Sequence, residues 1–68
     1  MIKISLKAAR VNADLTLTEA AKLIGIGQRT LWAWENGKTE PKLSQVEIMS
    51  QVYKMPAEYF FIPSVQSN

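Results

Sequence analysis

The sequence predicts an all-α fold, a compact domain of five short helices, on three observations. Apolar residues recur at three- and four-residue spacing in successive segments. Residues that start and stop helices bracket those segments. Period-two alternation shows only at the N-terminus, where Ile2 and Ile4 alternate with Lys3 and Ser5 and give a weak strand signal over Met1–Ser5.

Ser5 suits the N-cap of a first helix over about 6–12, with Leu6, Ala9 and Val11 or Ala13 on its apolar face. Thr16-Leu17-Thr18-Glu19 reads as a capping box. The Thr16 hydroxyl accepts from the Glu19 amide and the Glu19 carboxylate reaches back to the Thr16 amide. Leu17, Ala20, Ala21 and Ile24 then share one face of a second helix over about 17–24. Gly25-Ile26-Gly27 breaks it, with Gly25 free to take a positive φ and Ile26 available to pack inward. A third helix over about 28–35 carries Leu31 and Trp34 toward the core, and Asn36-Gly37 stops it.

The stretch from Gly37 to Pro41 is a loop, because proline excludes an ordinary helix interior. Leu43, Val46, Met49, Val52 and Tyr53 predict a fourth helix over 43–53. Pro56 fits the first turn of a short fifth helix over about 57–61, where its missing N–H would have no partner anyway. Pro63 and the polar residues after it read as a flexible tail over 63–68, which leaves 1–62 as the folded domain.

Composition narrows the function. The 68 residues suffice for one domain with a small core. They include no cysteine and no histidine, which excludes disulfides, thiolate and imidazole metal sites, and most nucleophile–base pairs. No cofactor, metal or small-molecule ligand is expected. The chain has neither a run of 18 apolar residues nor a basic leader followed by an apolar stretch, so a cytoplasmic protein that does not enter a membrane is expected. The net charge of +2 is modest, and the cations Arg10, Lys22, Arg29, Lys38, Lys42 and Lys54 are scattered. One subunit would attract phosphate weakly, and a dimer would double the contacts.

Two short helices joined by a glycine-containing turn form a helix-turn-helix, whose second helix can enter the major groove of DNA. From Ser5 to Phe61 the chain resembles the phage repressor and Cro type of helix-turn-helix protein, the XRE family. The matching residues are Leu15-Thr16, Glu19-Ala20-Ala21, Ile24-Gly25-Ile26, Thr30-Leu31, Trp34-Glu35-Asn36-Gly37-Lys38, Pro41 and Leu43. The resemblance implies a five-helix, lambda-repressor-like fold and sequence-specific binding of a double-stranded DNA operator. It also implies a symmetric homodimer on a palindromic site. Three positions depart from the pattern. Leu17 stands where the family commonly has glutamine, Gly27 where it has a Ser or Thr cap, and Trp32 where it often has a polar side chain.

Helical geometry puts Gln28, Arg29, Trp32 and Ala33 on one side of the third helix, away from Leu31 and Trp34, as candidates to face base edges. Gln28 can pair with adenine in bidentate fashion, and Arg29 with guanine O6 and N7. Trp32 has three options: packing on thymine methyls or sugars, folding back along its helix, or meeting a protein partner. Ala33 is small enough to approach a thymine methyl, or is a plain helix filler.

Phosphate contacts are expected from the amides at the start of the second helix, near Leu17 and Thr18. The resemblance implies a second set after the third helix, from Asn36, Lys38, Thr39 and Lys42. It also implies an ion pair between Arg10 and Glu35 within one subunit, holding the third helix and orienting Arg10 toward the DNA backbone. Tyr59, Phe60, Phe61 and Ile62 cannot all face inward from one short helix, so the surplus is assigned to a homodimer interface. The alternative is a terminal segment curled onto its own domain.

A sequence-specific transcriptional regulator is the leading expectation, with a length that favours a stand-alone repressor. An antitoxin or a restriction-modification controller shares the fold. A protein-binding module is the competing class, favoured by Leu17, Trp32 and the low net charge. An enzyme is disfavoured, since no histidine, cysteine or glycine-rich phosphate loop is present.

Overall fold

The computed structural model describes residues 3–62. The expected tail over 63–68 and the first two residues of the alternating N-terminal segment lie outside the described residues. In order, the elements are β1 (Ile4–Ser5), α1 (Leu6–Asn12), α2 (Leu17–Ile24), α3 (Gln28–Glu35), α4 (Leu43–Tyr53), a 3-10 turn (Ala57–Tyr59) and β2 (Phe60–Phe61).

Local chemistry explains where the helices begin and end. Ser5 Oγ accepts from the Ala8 amide at 3.0 Å and caps α1. At α2 both halves of the capping box form: Thr16 Oγ1 accepts from the Glu19 amide at 3.1 Å, and Glu19 Oε1 accepts from the Thr16 amide at 2.9 Å. Gly25 ends α2 in the left-handed region at φ 88°, and the amides of Gly25 and Ile26 both donate to the Ala21 carbonyl. The chain turns over Gly25, Ile26 and Gly27, and α3 starts at Gln28 packed against α2.

The core gathers one stripe from each helix: Leu6 and Ala9, then Ala20, Ala21 and Ile24, then Leu31 and Trp34, then Val46, Met49 and Tyr53. Ala20 and Ala21 are small, which lets α2 approach both α3 and α4 closely. Burial of a side chain such as Leu31 or Met49 contributes about 1.5–3 kcal/mol each, so this small core carries the fold. One apolar residue expected on a core face, Leu43, is exposed instead. Of the two alternatives at the end of α1, Val11 is exposed and Ala13, the residue that caps the helix, packs inward.

The C-terminal segment corrects the five-helix expectation. Among the described residues there are four α-helices, and the residues expected as a fifth form one 3-10 turn followed by a strand. β2 pairs in parallel with β1, Ile4 opposite Phe60 and Ser5 opposite Phe61. In extended backbone, successive side chains alternate sides. Phe60 is accordingly 2 % exposed in the core, with its ring edge-on to Tyr53 at 6.1 Å, while Tyr59 and Phe61 face out and Ile62 packs partly inward. Phe60 thus leaves the set expected at a homodimer interface, because its own protomer buries it.

Candidate nucleic-acid interface

Leu31 and Trp34 are buried and anchor α3 on α2 and the rest of the core. That anchoring turns Gln28, Arg29 and Trp32 outward, with Ala33 half-buried at the edge of the same face. Trp32 is 48 % exposed, a large apolar surface among polar neighbours. Across from it lies Leu17, in the first turn of α2. Leu17, Gln28, Arg29 and Trp32 together line an open groove of about 480 Å³.

Thr18 Oγ1 donates to Gln28 Oε1 at 2.7 Å, a bond between the first turn of α2 and the first turn of α3. The glutamine amide keeps both of its N–H donors and one lone pair for a ligand. Sequence reading placed Thr18 among backbone-contacting groups and missed this positioning role. The two residues are 10 apart, and only the angle between the helices brings them together.

The first intrahelical donor of α2 is the Ala20 amide, bonded to the Thr16 carbonyl, so the Leu17 and Thr18 amides precede the helical ladder at its electropositive end. Beyond α3, Asn36 Nδ2 folds back to donate to the Trp32 carbonyl at 2.9 Å, and the Lys38 amide donates to the Ala33 carbonyl at 2.9 Å. Asn36 therefore acts first as a cap for α3. Lys38, Thr39 and Lys42 are exposed on the following loop.

Behind α3, Arg10 Nε donates to Glu35 Oε2 at 2.7 Å and Arg10 Nη2 donates to Glu35 Oε1 at 3.1 Å. Arg10 Nη1 donates to the Leu15 carbonyl at 3.0 Å. The hydrogen bond to Glu35 raises the guanidinium pKa, against the opposing effect of burial. With its nitrogens engaged and only 9 % of the residue exposed, Arg10 faces the interior and does not reach toward a DNA backbone. The Tyr53 hydroxyl is buried with no hydrogen-bond partner among the described residues. Burial, reinforced by the Glu35 carboxylate and opposed by Arg10, pushes its pKa up to about 12.

Among the described residues, no helix is long and apolar enough to cross a membrane, and no group of three His, Cys, Asp or Glu could hold a metal ion.

The Helix-turn-helix family model matches residues 6–60, from the start of α1 to β2. Over 56 residues the chain is 38% identical to the cryptic phage CTXphi transcriptional repressor RstR of Vibrio cholerae, an alignment covering 82% of this chain and 50% of that protein. The chain thus spans about half the length of the curated relative it matches. No solved structure matches it. A capped α2, a left-handed glycine, and an α3 held on the core with its polar face outward agree with that match over most of the chain: this protein belongs to the helix-turn-helix family.

Proposed function

We propose that the protein is a sequence-specific transcriptional regulator of the phage-repressor kind, which lays α3 in the major groove of a double-stranded DNA operator. The observation that carries this reading is the outward face of α3, where Gln28 and Arg29 stand exposed beside the electropositive start of α2. The protein binds rather than catalyses in this reading, and it acts in the cytoplasm.

Each side chain has a role in this reading. Gln28 reads adenine and Arg29 reads guanine, while Trp32 and Ala33 lie against the apolar parts of the bases. The amides of Leu17 and Thr18 hold one phosphate, and Asn36, Lys38, Thr39 and Lys42 track the backbone on the other side of α3. The relative's name, a phage transcriptional repressor, supports the regulatory role. A homodimer doubles the phosphate contacts of a weakly charged chain. Its interface is assigned to Tyr59, Phe61 and the edge of Ile62, since Tyr59 and Phe61 are the exposed aromatics of that segment.

An antitoxin or a restriction-modification controller would fall within this first reading; the second is a protein-binding module that keeps the fold but does not read DNA. The apolar groove between Leu17 and Trp32 favours it. Selection of bound sequences from random duplex DNA at about 150 mM salt separates the two. Enrichment of a palindrome with half-sites about one helical turn apart is expected for a dimeric operator binder. A folded protein that enriches no sequence would overturn the proposal in favour of the module.

A further inference from the structure

Resting on the operator-binding reading, we infer that the groove between Leu17 and Trp32 receives the C5-methyl group of an operator thymine, next to the base that Gln28 reads. Two apolar walls come from different helices, Leu17 from the first turn of α2 and Trp32 from the second turn of α3. The donors Gln28 and Arg29 stand on the same rim. The Thr18 hydroxyl ties Gln28 toward α2 at 2.7 Å, which keeps the glutamine at the edge of the groove.

The composition of the rim selects the occupant. Apolar walls alone would suit any aliphatic group, including a side chain of a protein partner. Here they adjoin an amide and a guanidinium, which call for hydrogen-bond acceptors, one of them preferably in a negative field. In the DNA major groove, acceptors line every base pair, and the thymine methyl is the one apolar group among them. An adenine read by Gln28 is paired with a thymine, whose methyl projects into the same groove on that same step. The open volume of about 480 Å³ is large enough to take the edge of a base pair, so that the methyl meets Trp32 and Leu17 while the polar atoms meet the rim. Trp32 then loses its exposed apolar surface to DNA instead of to water.

The test uses the selected operator with each thymine replaced in turn by deoxyuridine, which removes only the methyl and leaves the hydrogen-bonding edge intact. At one thymine in each half-site, binding is expected to weaken about fourfold, the worth of burying one methyl-sized group. That loss is expected to disappear in Trp32→Ala and in Leu17→Ala, and to persist in Lys38→Ala, which lies outside the groove. An operator bound with full selectivity but indifferent to every deoxyuridine would overturn the inference, and so would a methyl effect undiminished in Trp32→Ala. Both outcomes leave the operator-binding reading standing. Failure to select any sequence would remove that reading and this inference together. The wild-type scan stands even if a groove variant proves unstable.

Discussion

Arg10 and Glu35 join the first helix to the last turn of α3 through two parallel hydrogen bonds, at 2.7 and 3.1 Å, with side chains only 10% and 4% exposed. The third helix is therefore gripped at both ends: by the core and this fork at its C-terminal half, and by Thr18 at its first residue. Such rigidity suits the base-reading role proposed for this face, because side chains already in place need not be ordered when DNA arrives.

Glu35→Ala should be strongly destabilising, by about 3–5 kcal/mol, since it strands the buried Arg10 guanidinium without a counter-charge. Urea denaturation measures the loss. The double replacement Arg10→Met with Glu35→Leu should lose less than either single alanine variant, because no uncompensated charge remains. Equal or greater loss in the double variant would show that the pair contributes net stability of its own.

The hydroxyl of Tyr53 offers a change in the opposite direction. It is buried without a partner among the described residues, so Tyr53→Phe should raise stability at neutral pH by about 1 kcal/mol. Its pKa near 12 in the folded protein lies above the ordinary value of 10.0. The protonated phenol is thus favoured by folding, a contribution fully present below pH 10 and lost as pH rises toward 12, worth about 2–3 kcal/mol in total. Thermal melts from pH 8 to 12 should show that alkaline loss in the wild type and its reduction in Tyr53→Phe.

Gly25 and Gly27 should respond differently to substitution. A Cβ at Gly25 would meet nothing within 4 Å, so the cost of Gly25→Ala, about 1 kcal/mol, comes from its φ of 88° alone. Gly25→Asn should cost less. Gly27 has an ordinary φ of −73° and caps α3 without a side-chain bond, so Gly27→Ser should gain about a few tenths of a kcal/mol. Chemical denaturation of the three variants checks the order.

Thr18→Val retains the β-branched shape and deletes the hydroxyl that positions Gln28. Stability should hardly change at this exposed site. If Gln28 reads a base as proposed, discrimination at that base should fall, within the roughly 1–3 kcal/mol that a good bidentate contact supplies. Binding measured on operators varied at each position would locate the effect. Equal weakening on all of them would show that Thr18 serves the backbone instead.

Arg29→Ala should relax specificity at one base position, whereas Lys38→Ala should weaken every sequence alike and lower the salt dependence by about one unit of slope. Titrations over a range of salt concentrations separate the two. A uniform loss from Arg29→Ala would contradict the base-reading role proposed for it.

The sequence by itself determined the four helices and the turn between α2 and α3. The signals involved span about four residues: the Thr16–Glu19 box, the apolar recurrences, the left-handed glycine and the Asn36-Gly37 stop. Each acts through hydrogen bonds and sterics that the local chain already contains. Tertiary structure alone decided the C-terminal segment. The run from Tyr59 to Ile62 suits a helix or a strand equally, and pairing with Ile4 and Ser5 at the far end of the chain selects the strand. That choice puts Phe60 against Tyr53 and leaves Tyr59 and Phe61 outside. The Thr18–Gln28 bond and the Leu17–Trp32 groove belong to the same class, because both depend on how α2 crosses α3. Helical periodicity reports which face a residue occupies, whereas the residue it meets depends on long-range packing, which no short stretch of chain specifies.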